Sequence, residues 1–289
     1  MSAQELSGST ALVTGASRGF GRGVATALAG AGANVVGVAR DRAALEEVRA
    51  LIGDGFTPVA ADAADPIVAG KLTDAYRPRV LVLAAGAAPL SRPLHQQTWE
   101  TFSSNWHTDV RQVFHWSREE LLRPLAEGSV VIAFSSGAAL RGSPLSGGYA
   151  GAKATIRFIA AYAADESQRA GLGIRFVSVL PQLTPATDLG AAAVAAYAQR
   201  AGTDVATFTE NLGPALTPEH VGKAIVPAAP SRAREPEWRR TRSRDDYGHR
   251  QPCHVGQRAG SGRHWRRNGV HQNLCKVQRG CQWRPVQGE

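Results

Sequence analysis

The sequence predicts an α/β fold: a doubly wound parallel sheet with helices on both faces. Three observations carry that expectation. Short apolar runs suited to strands alternate with longer segments of helical composition from Ser9 to about Ala229. A glycine-rich turn stands directly between the first strand and the first helix. The strand runs are nearly continuous in apolar character, as expected where both faces of a sheet are covered.

The chain has 289 residues, 43% of them apolar, enough for a sizeable core. Its formal charge of +9 is unevenly placed. Residues 1–230 carry 19 Lys plus Arg against 19 Asp plus Glu, whereas residues 231–289 carry 14 against 5. All three cysteines, Cys253, Cys275 and Cys281, fall in that last stretch. The chain therefore divides into a domain over 1–230 and a basic tail over 231–289. A cysteine-free body fits a reducing compartment, no apolar leader precedes the first strand, and no run approaches the ~18 apolar residues of a membrane span. A soluble, cytoplasmic protein without a membrane partner is expected.

The first strand, Ser9 to Val13, runs into Thr14-Gly15-Ala16-Ser17-Arg18-Gly19-Phe20-Gly21, and an Ala-rich helix follows. Such a turn gathers backbone N–H groups and a helix N-terminus at one place, where a pyrophosphate can sit. Thr14, Gly15, Ser17, Arg18, Gly19 and Gly21 are the candidate contacts. The second strand, Asn34 to Ala39, ends about twenty residues beyond that turn, where a dinucleotide fold reads the adenosine ribose. A carboxylate there bonds the 2′-hydroxyl of NAD, whereas an arginine accommodates the 2′-phosphate of NADP. Here Arg40 follows the strand tip and Arg18 lies in the turn, and two arginines can bracket a phosphate dianion. NADP is the expected cofactor, with NAD still open because Asp41 could reach a hydroxyl.

A helix over 41–52 and a strand from Phe56 to Ala60 lead to Asp62-Ala63. Asp62 either accepts a bond from the adenine amino group or caps the helix starting near Pro66, and both readings stand at this point. The fourth strand, Val80 to Leu83, is followed by Ala84-Ala85-Gly86-Ala87, small residues that let a flat ring lie against backbone. From Thr98 to Leu125 one long helix is expected. Trp99, Phe102, Trp106, Val110, Val113, Phe114, Leu121 and Leu122 recur there at mostly three- and four-residue spacing and should face the core or a subunit interface. Next come a fifth strand, Ser129 to Phe134, a helix through Tyr149 to about Ala170, and a sixth strand, Ile174 to Leu180, ending at Pro181. Ala-rich helical segments over 188–212 stand where a lid over the sheet edge would fall. Thr217 as N-cap and Pro218 in the first turn open a last helix.

The chemistry centres on Ser136, Tyr149 and Lys153. Tyr149 and Lys153 are four residues apart and share a helix face. Free tyrosine loses its proton near pH ~10, and a neighbouring ammonium favours the phenolate, so the group moves towards the range where it can trade a proton with a substrate oxygen. Ser136 follows the fifth strand, which would deliver its hydroxyl to the same sheet edge. A lone Y-x-x-x-K is a weak signal, because solvated helix faces produce it often. It gains weight from the glycine turn and the serine in sequence order.

Together these residues resemble the short-chain dehydrogenase/reductase (SDR) family over roughly residues 8–228. The family's T-G-x-x-x-G-x-G motif matches Thr14, Gly15, Gly19 and Gly21, and its Ser, Tyr and Lys match Ser136, Tyr149 and Lys153. The resemblance implies a Rossmann-like NAD(P)-binding fold and hydride transfer between the nicotinamide and a small carbonyl or secondary alcohol substrate. It implies that Tyr149 gives or takes the proton, that Ser136 bonds the substrate oxygen, and that Lys153 bonds the nicotinamide ribose and lowers the Tyr149 pKa. Cofactor contacts from Ala63, Ala85, Gly86 and Pro181 follow from the same likeness. So does a homodimer or homotetramer through the two long helices, to which Trp106, Val113 and Phe158 are suited.

Three departures set this chain apart. The family's Asn-Asn-Ala-Gly after strand four is Leu83-Ala84-Ala85-Gly86 here. Its catalytic asparagine, about 27 residues before the first serine of the Ser-Ser pair, falls near Asp109, with Asn105 one helical turn away. Either a helix shift brings Asn105 into the role, or Asp109 replaces it, or the proton relay is altered. The Pro-Gly after strand six is Pro181-Gln182, so the nicotinamide-side loop should be built differently. These departures keep a second expectation alongside the first: a catalytically impaired dinucleotide-binding or interaction protein that retains the fold.

The text changes character at Ser231, where arginine, tryptophan and glycine appear without helical or alternating period. We expect a disordered or frame-shifted tail after about Pro227, with the final strand of the sheet missing. Nucleic acid is not an expected partner, since arginine content alone is a common false lead. No metal site is expected: His249, Cys253, His254, Cys275 and Cys281 form no C-x₂-C or H-x₃-H pair.

Overall fold

The computed structural model describes residues 6–230 and the strand Cys275–Arg279. The rest of the expected tail, with its disorder or frame shift and with Cys253 and Cys281, lies outside the described residues.

Strands β1 (Thr10–Thr14), β2 (Asn34–Ala39), β3 (Phe56–Ala60), β4 (Val80–Leu83), β5 (Val130–Phe134), β6 (Arg175–Pro181) and β7 (Cys275–Arg279) form one sheet in the order β3-β2-β1-β4-β5-β6-β7. The first six are parallel. Chain order reverses between β1 and β4, and the loops leaving those two strands must diverge there, opening a crevice at their carboxyl ends. Pro58 lacks a ladder donor and is tolerated because β3 is an edge strand.

Helices α1 (Gly19–Gly30), α2 (Arg42–Ile52) and α10 (Pro218–Ile225) cover one face. Val13, Val24, Leu28, Leu45, Val80, Ile132, Val221 and Ile225 meet beneath them. Helices α3 (Pro66–Tyr76), α5 (Arg111–Leu122) and α7 (Gly147–Arg169) cover the other, over Leu12, Val36, Leu81, Val131, Trp116, Ile156 and Phe176. Strand alternation makes this possible: Leu12 and Val13 are neighbours in sequence but belong to opposite cores. Each such side chain, fully buried, stabilises the fold by roughly 1.5–3 kcal/mol. The remaining helices are α4 (Trp99–Asn105), α6 (Ala138–Arg141), α8 (Asp188–Ala201) and α9 (Val205–Leu212). Among the described residues no helix is long and apolar enough to cross a membrane, and no His/Cys/Asp/Glu cluster suits a metal.

Three expectations need correcting. The tail was expected to supply no strand, yet Cys275–Arg279 pairs antiparallel with β6, from Val177 opposite Arg279 to Pro181 opposite Cys275. Without it the outer edge of β6 would leave a row of unpaired backbone groups. The run Cys-Lys-Val-Gln-Arg carries little apolar character of its own, so its strand state follows from pairing with β6 rather than from a local pattern.

The single helix expected over Thr98 to Leu125 is in fact α4 and α5 joined by a π-helical turn, Trp106–Val110. Its apolar residues divide between core and surface: Val113 is buried and Val110 and Leu121 pack against the core. Asn105, Asp109, Gln112, Trp116 and Glu120 form the buried stripe, whereas Trp99, Trp106, Phe114 and Leu122 are exposed. Val113, expected to suit a subunit contact, is fully buried beneath the sheet, while Phe158 is half exposed.

Glu120 shows the cost of that polar stripe. One carboxylate oxygen accepts from Thr73 Oγ1 at 2.8 Å, and burial is the chief reason its pKa is pushed up to about 7. Below the ordinary value of 4.5 both folded and unfolded chains hold the proton, and the group is neutral to stability. From there to about 7 the unfolded chain releases a proton that the folded chain keeps, so stability falls as pH rises. The full loss is up to roughly 3 kcal/mol at ~1.4 kcal/mol per pH unit. Glu120→Gln should therefore leave the melting temperature near pH 4.5 little changed and raise it by roughly 5 °C at pH 8, as read by thermal melts at both values.

Candidate active site

A cleft of about 850 Å³ runs along the carboxyl ends of the parallel strands. Its walls include Gly15, Ser17, Arg18, Gly19 and Gly21 at one end, and Ser136, Tyr149 and Lys153 at the other. Asp62, Ala63, Ala85, Gly86 and Pro181 line it too. Thr14 is wholly buried just beneath.

The glycine turn is shaped by close approach. Gly15 has a left-handed φ of +68°, and a Cβ there would lie 2.7 Å from the backbone of Ala85. A Cβ on Gly21 would meet Gly15 O at 2.1 Å. Helix α1 begins with no side-chain cap, so the N–H groups of its first turn are left for a ligand at the cleft end where Arg18 and Arg40 stand. Neither arginine has an ion-pair partner among the described residues. The carboxylate of Asp41 is engaged elsewhere: it caps α2 by accepting from Ala44 N at 3.1 Å. The two readings of Asp62 also separate in part. Asp65, not Asp62, is the N-cap of α3, while Asp62 accepts from Ala64 N at 2.9 Å and stands exposed on the cleft wall.

The turn after β4 lacks the two asparagines of the resemblance and is held by other means. Thr14 Oγ1 accepts from Ala84 N at 3.0 Å and from Ala85 N at 3.2 Å, and donates to Gln112 Oε1 at 2.8 Å. Gln112 Nε2 donates to Ala85 O. Asn105 Nδ2 donates to Ala87 O at 2.7 Å, and Ala87 N donates to Asp109 Oδ1 at 2.8 Å. Gln112 is a site residue that sequence reasoning missed. Its signal in the sequence is the spacing Asn105, Asp109, Gln112, one polar face of a helix, which apolar periodicity does not mark. Asn105 and Asp109 are both brought to the site: both hold the Ala87 backbone, and Asp109 Oδ2 in addition lies 3.0 Å from Lys153 Nζ.

Lys153 is fixed at three points. Its ammonium donates to Phe134 O at 2.9 Å and pairs with Asp109, and its backbone carbonyl accepts from Ser135 Oγ at 2.7 Å. Burial works against the charge, but Asp109 and, after it, Tyr149 outweigh that penalty and hold the lysine pKa above its usual range. Nζ sits 5.5 Å from the Tyr149 ring centroid. The Ser136 hydroxyl accepts from Ala138 N at 3.2 Å, and Gly137 N donates to Pro181 O at 2.9 Å, tying the serine turn to the end of β6.

Helix α8 contributes Asp188, Leu189 and Tyr197 to the cleft wall. Tyr197 on α8 hydrogen-bonds Ser143 Oγ, which in turn lies 2.7 Å from Ser146 Oγ at the N-cap of α7. The Tyr197 ring also stacks on Phe208 of α9, at 6.4 Å between centroids and 7° between planes. Helix α8 is thus latched to the start of the helix that carries Tyr149.

Comparisons with known proteins bear on the family and the fold. A family model described as short chain dehydrogenase matches residues 9–198. An uncharacterized short-chain type dehydrogenase/reductase of Sinorhizobium fredii is 33% identical over 178 residues, 59% of this chain and 68% of that protein. The D-erythrulose reductase of Gallus gallus is 34% identical over 123 residues, 42% of this chain and 49% of the reductase. The L-xylulose reductase of Homo sapiens is 33% identical over 115 residues, 39% of this chain and 46% of its own length. The chain thus spans about half of these two reductases. A crystal structure of 3-ketoacyl-(acyl-carrier-protein) reductase from Brucella melitensis, complexed with NADH, matches with a TM-score of 0.65 at 26% identity, over 78% of this chain and 92% of that one.

Tyr197→Phe removes the hydroxyl of the latch and keeps the ring stack. The loss of one hydrogen bond worth ~1 kcal/mol should speed amide hydrogen exchange across residues 188–201 by roughly three- to tenfold. Exchange across α1 should not change.

Proposed function

Because the chain belongs to the short-chain dehydrogenase family, we propose that it is an NADP-preferring oxidoreductase. It would interconvert a carbonyl compound and the corresponding secondary alcohol, with Tyr149 as acid and base. One observation carries this reading: a single cleft is lined by the glycine turn at one end and by Ser136, Tyr149 and Lys153 at the other. The relatives named above as reductases of D-erythrulose, L-xylulose and 3-ketoacyl groups support a carbonyl as the reacting group.

The residues present fit a nicotinamide dinucleotide. The open N-terminus of α1 and the glycine turn would hold its pyrophosphate, and Arg18 and Arg40 would bracket a 2′-phosphate. That Asp41 is spent on capping α2 favours the phosphate over the bare hydroxyl of NAD. When bound, the cofactor supplies or removes the hydride.

The protein's own groups handle the proton and the oxygen. Ser136 accepts from Ala138 N, leaving its hydroxyl proton to donate to a substrate oxygen. Tyr149 gives that oxygen a proton in reduction and takes it back in oxidation. Lys153 has three donors, of which Phe134 O and Asp109 engage two, and the third is left for the cofactor's ribose. Ser143, Ser146 and Tyr197 give the substrate wall a hydroxyl lining suited to a polar ketone. Homo-oligomer formation is part of the reading. Exposed Trp99, Trp106, Phe114 and Leu122 lie along α4 and α5, and Phe158 stacks with Tyr162 on the surface of α7.

A panel of ketones assayed with NADPH tests the proposal. Tyr149→Phe should lower turnover by roughly a thousandfold or more, the scale of lost general acid–base catalysis, and leave NADPH affinity by fluorescence within about threefold. Arg40→Ala should weaken NADPH binding by about tenfold and NADH binding little, as expected for one charge-assisted contact worth ~1.5 kcal/mol. NADPH binding with no turnover on any ketone would favour the second reading, a dinucleotide-binding protein with impaired chemistry. The carboxylate of Asp109 on Lys153 is the feature that keeps that reading in play.

A further inference from the structure

The resemblance leads one to expect a neutral amide where this chain has Asp109. The structure shows what the carboxylate does there. Asp109 is 1% exposed and the Lys153 side chain 7%, and their charged atoms lie 3.0 Å apart. The carboxylate cannot turn away, because Oδ1 accepts from Ala87 N at 2.8 Å and from Asn105 Nδ2 at 3.3 Å. Gly86 makes room for it: a Cβ there would lie 2.8 Å from Oδ2.

We propose that Asp109 is a positioning residue that fixes the ammonium of Lys153 and cancels its charge beside Tyr149, so that the site works at higher pH than a neutral residue here would allow. The inference rests on the oxidoreductase reading for its meaning. Its physical content is independent of that reading. A lone buried cation next to a phenol favours the phenolate, but a tight pair of opposite charges presents mainly a dipole. Asp109 keeps Lys153 protonated despite burial and offsets the field that the protonated lysine would exert.

The neighbouring groups leave this pair in control. From α7 the titratable groups are Tyr149 and Lys153, and from the π-helical turn Asp109, with neutral Asn105 from α4. The end of β5 presents only the Phe134 carbonyl and the hydroxyls of Ser135 and Ser136. Arg141 of α6 and Asp188 of α8 line the outer wall, and Arg18, Arg40, Asp41 and Asp62 line the dinucleotide end.

The test is Asp109→Asn, nearly isosteric and able to keep the bond from Ala87 N. Tyrosinate absorbance is titrated in the unsubstituted protein and in the variant, each with Tyr149→Phe added as the blank that isolates this phenol. The Tyr149 signal should emerge about one pH unit or more lower in Asp109→Asn, the usual scale for exposing a phenol to an uncompensated cation. Asp109→Ser, which leaves room for a water at the ammonium, should move it the same way. Asp109→Glu keeps the charge and should restore the midpoint. Where a secondary alcohol is turned over, the acid limb of its oxidation profile should shift in parallel, about tenfold in rate per unit. A Tyr149 signal that does not move in either neutral variant overturns the proposal, whatever the turnover. A signal that moves in a protein without turnover upholds the electrostatics and removes the enzymatic reading instead.

Discussion

The site depends on how closely two loops approach at the point where strand order reverses. β1 and β4 are neighbours, and the turns leaving them pack so tightly that any side chain on Gly15 would strike the backbone of Ala85. The contact is made polar and specific by one hydroxyl: Thr14 Oγ1 accepts from both Ala84 N and Ala85 N. Two partly buried amides are thereby satisfied, each bond contributing about 0.5–1.5 kcal/mol. The same stitching positions the Ala85–Ala87 backbone for the side chains that reach it from the opposite helix.

That helix explains why part of the site was hidden in the sequence. A buried helical stripe is sought by its apolar residues, and over Thr98 to Leu125 those residues are split: Val113 and Trp116 are buried, whereas Trp99, Trp106, Phe114 and Leu122 are exposed. Trp99 is 77% exposed, whereas Glu120 and Trp116 are at 0%. The inward stripe is polar because its targets are polar: Ala87 for Asn105 and Asp109, Ala85 for Gln112, Ala63 O for Trp116 Nε1, and Thr73 for Glu120. The π-helical turn at Trp106–Val110 adds a residue's worth of slack in the helix that presents Asn105 and Asp109 together, a feature of a kind that occurs often at functional sites. Spacing counted on a regular helix could not decide between those two residues.

Where local rules act alone, the sequence was readable. The limits expected for β2, β3 and β4 agree with the structure to the residue, because each is a short apolar run bounded by turn-forming residues. Thr217 and Pro218 open α10 as capping rules require. Long-range partners were not readable. That Asp65 rather than Asp62 caps α3, and that the edge of β6 is completed by residues almost a hundred positions later, follow from packing that no local window contains.

The two halves of the cleft are mechanically joined through residue 153. Its side chain reaches Phe134 O and Asp109, and its backbone carbonyl receives Ser135 Oγ, so β5, α7 and the π-helical turn all close on one lysine. One turn earlier on α7, Tyr149 is placed by the same contacts, and a few residues before that Ser146 meets the hydroxyl chain from α8. The hydroxyl chain from α8 and the buried ion pair at Lys153 thus hold the two ends of the short helical segment that carries Tyr149. A neutral residue at 109 would remove the carboxylate's charge from that pair. The carboxylate thus has two consequences of one geometry: it stiffens the seat of Tyr149 and removes the net charge beside it.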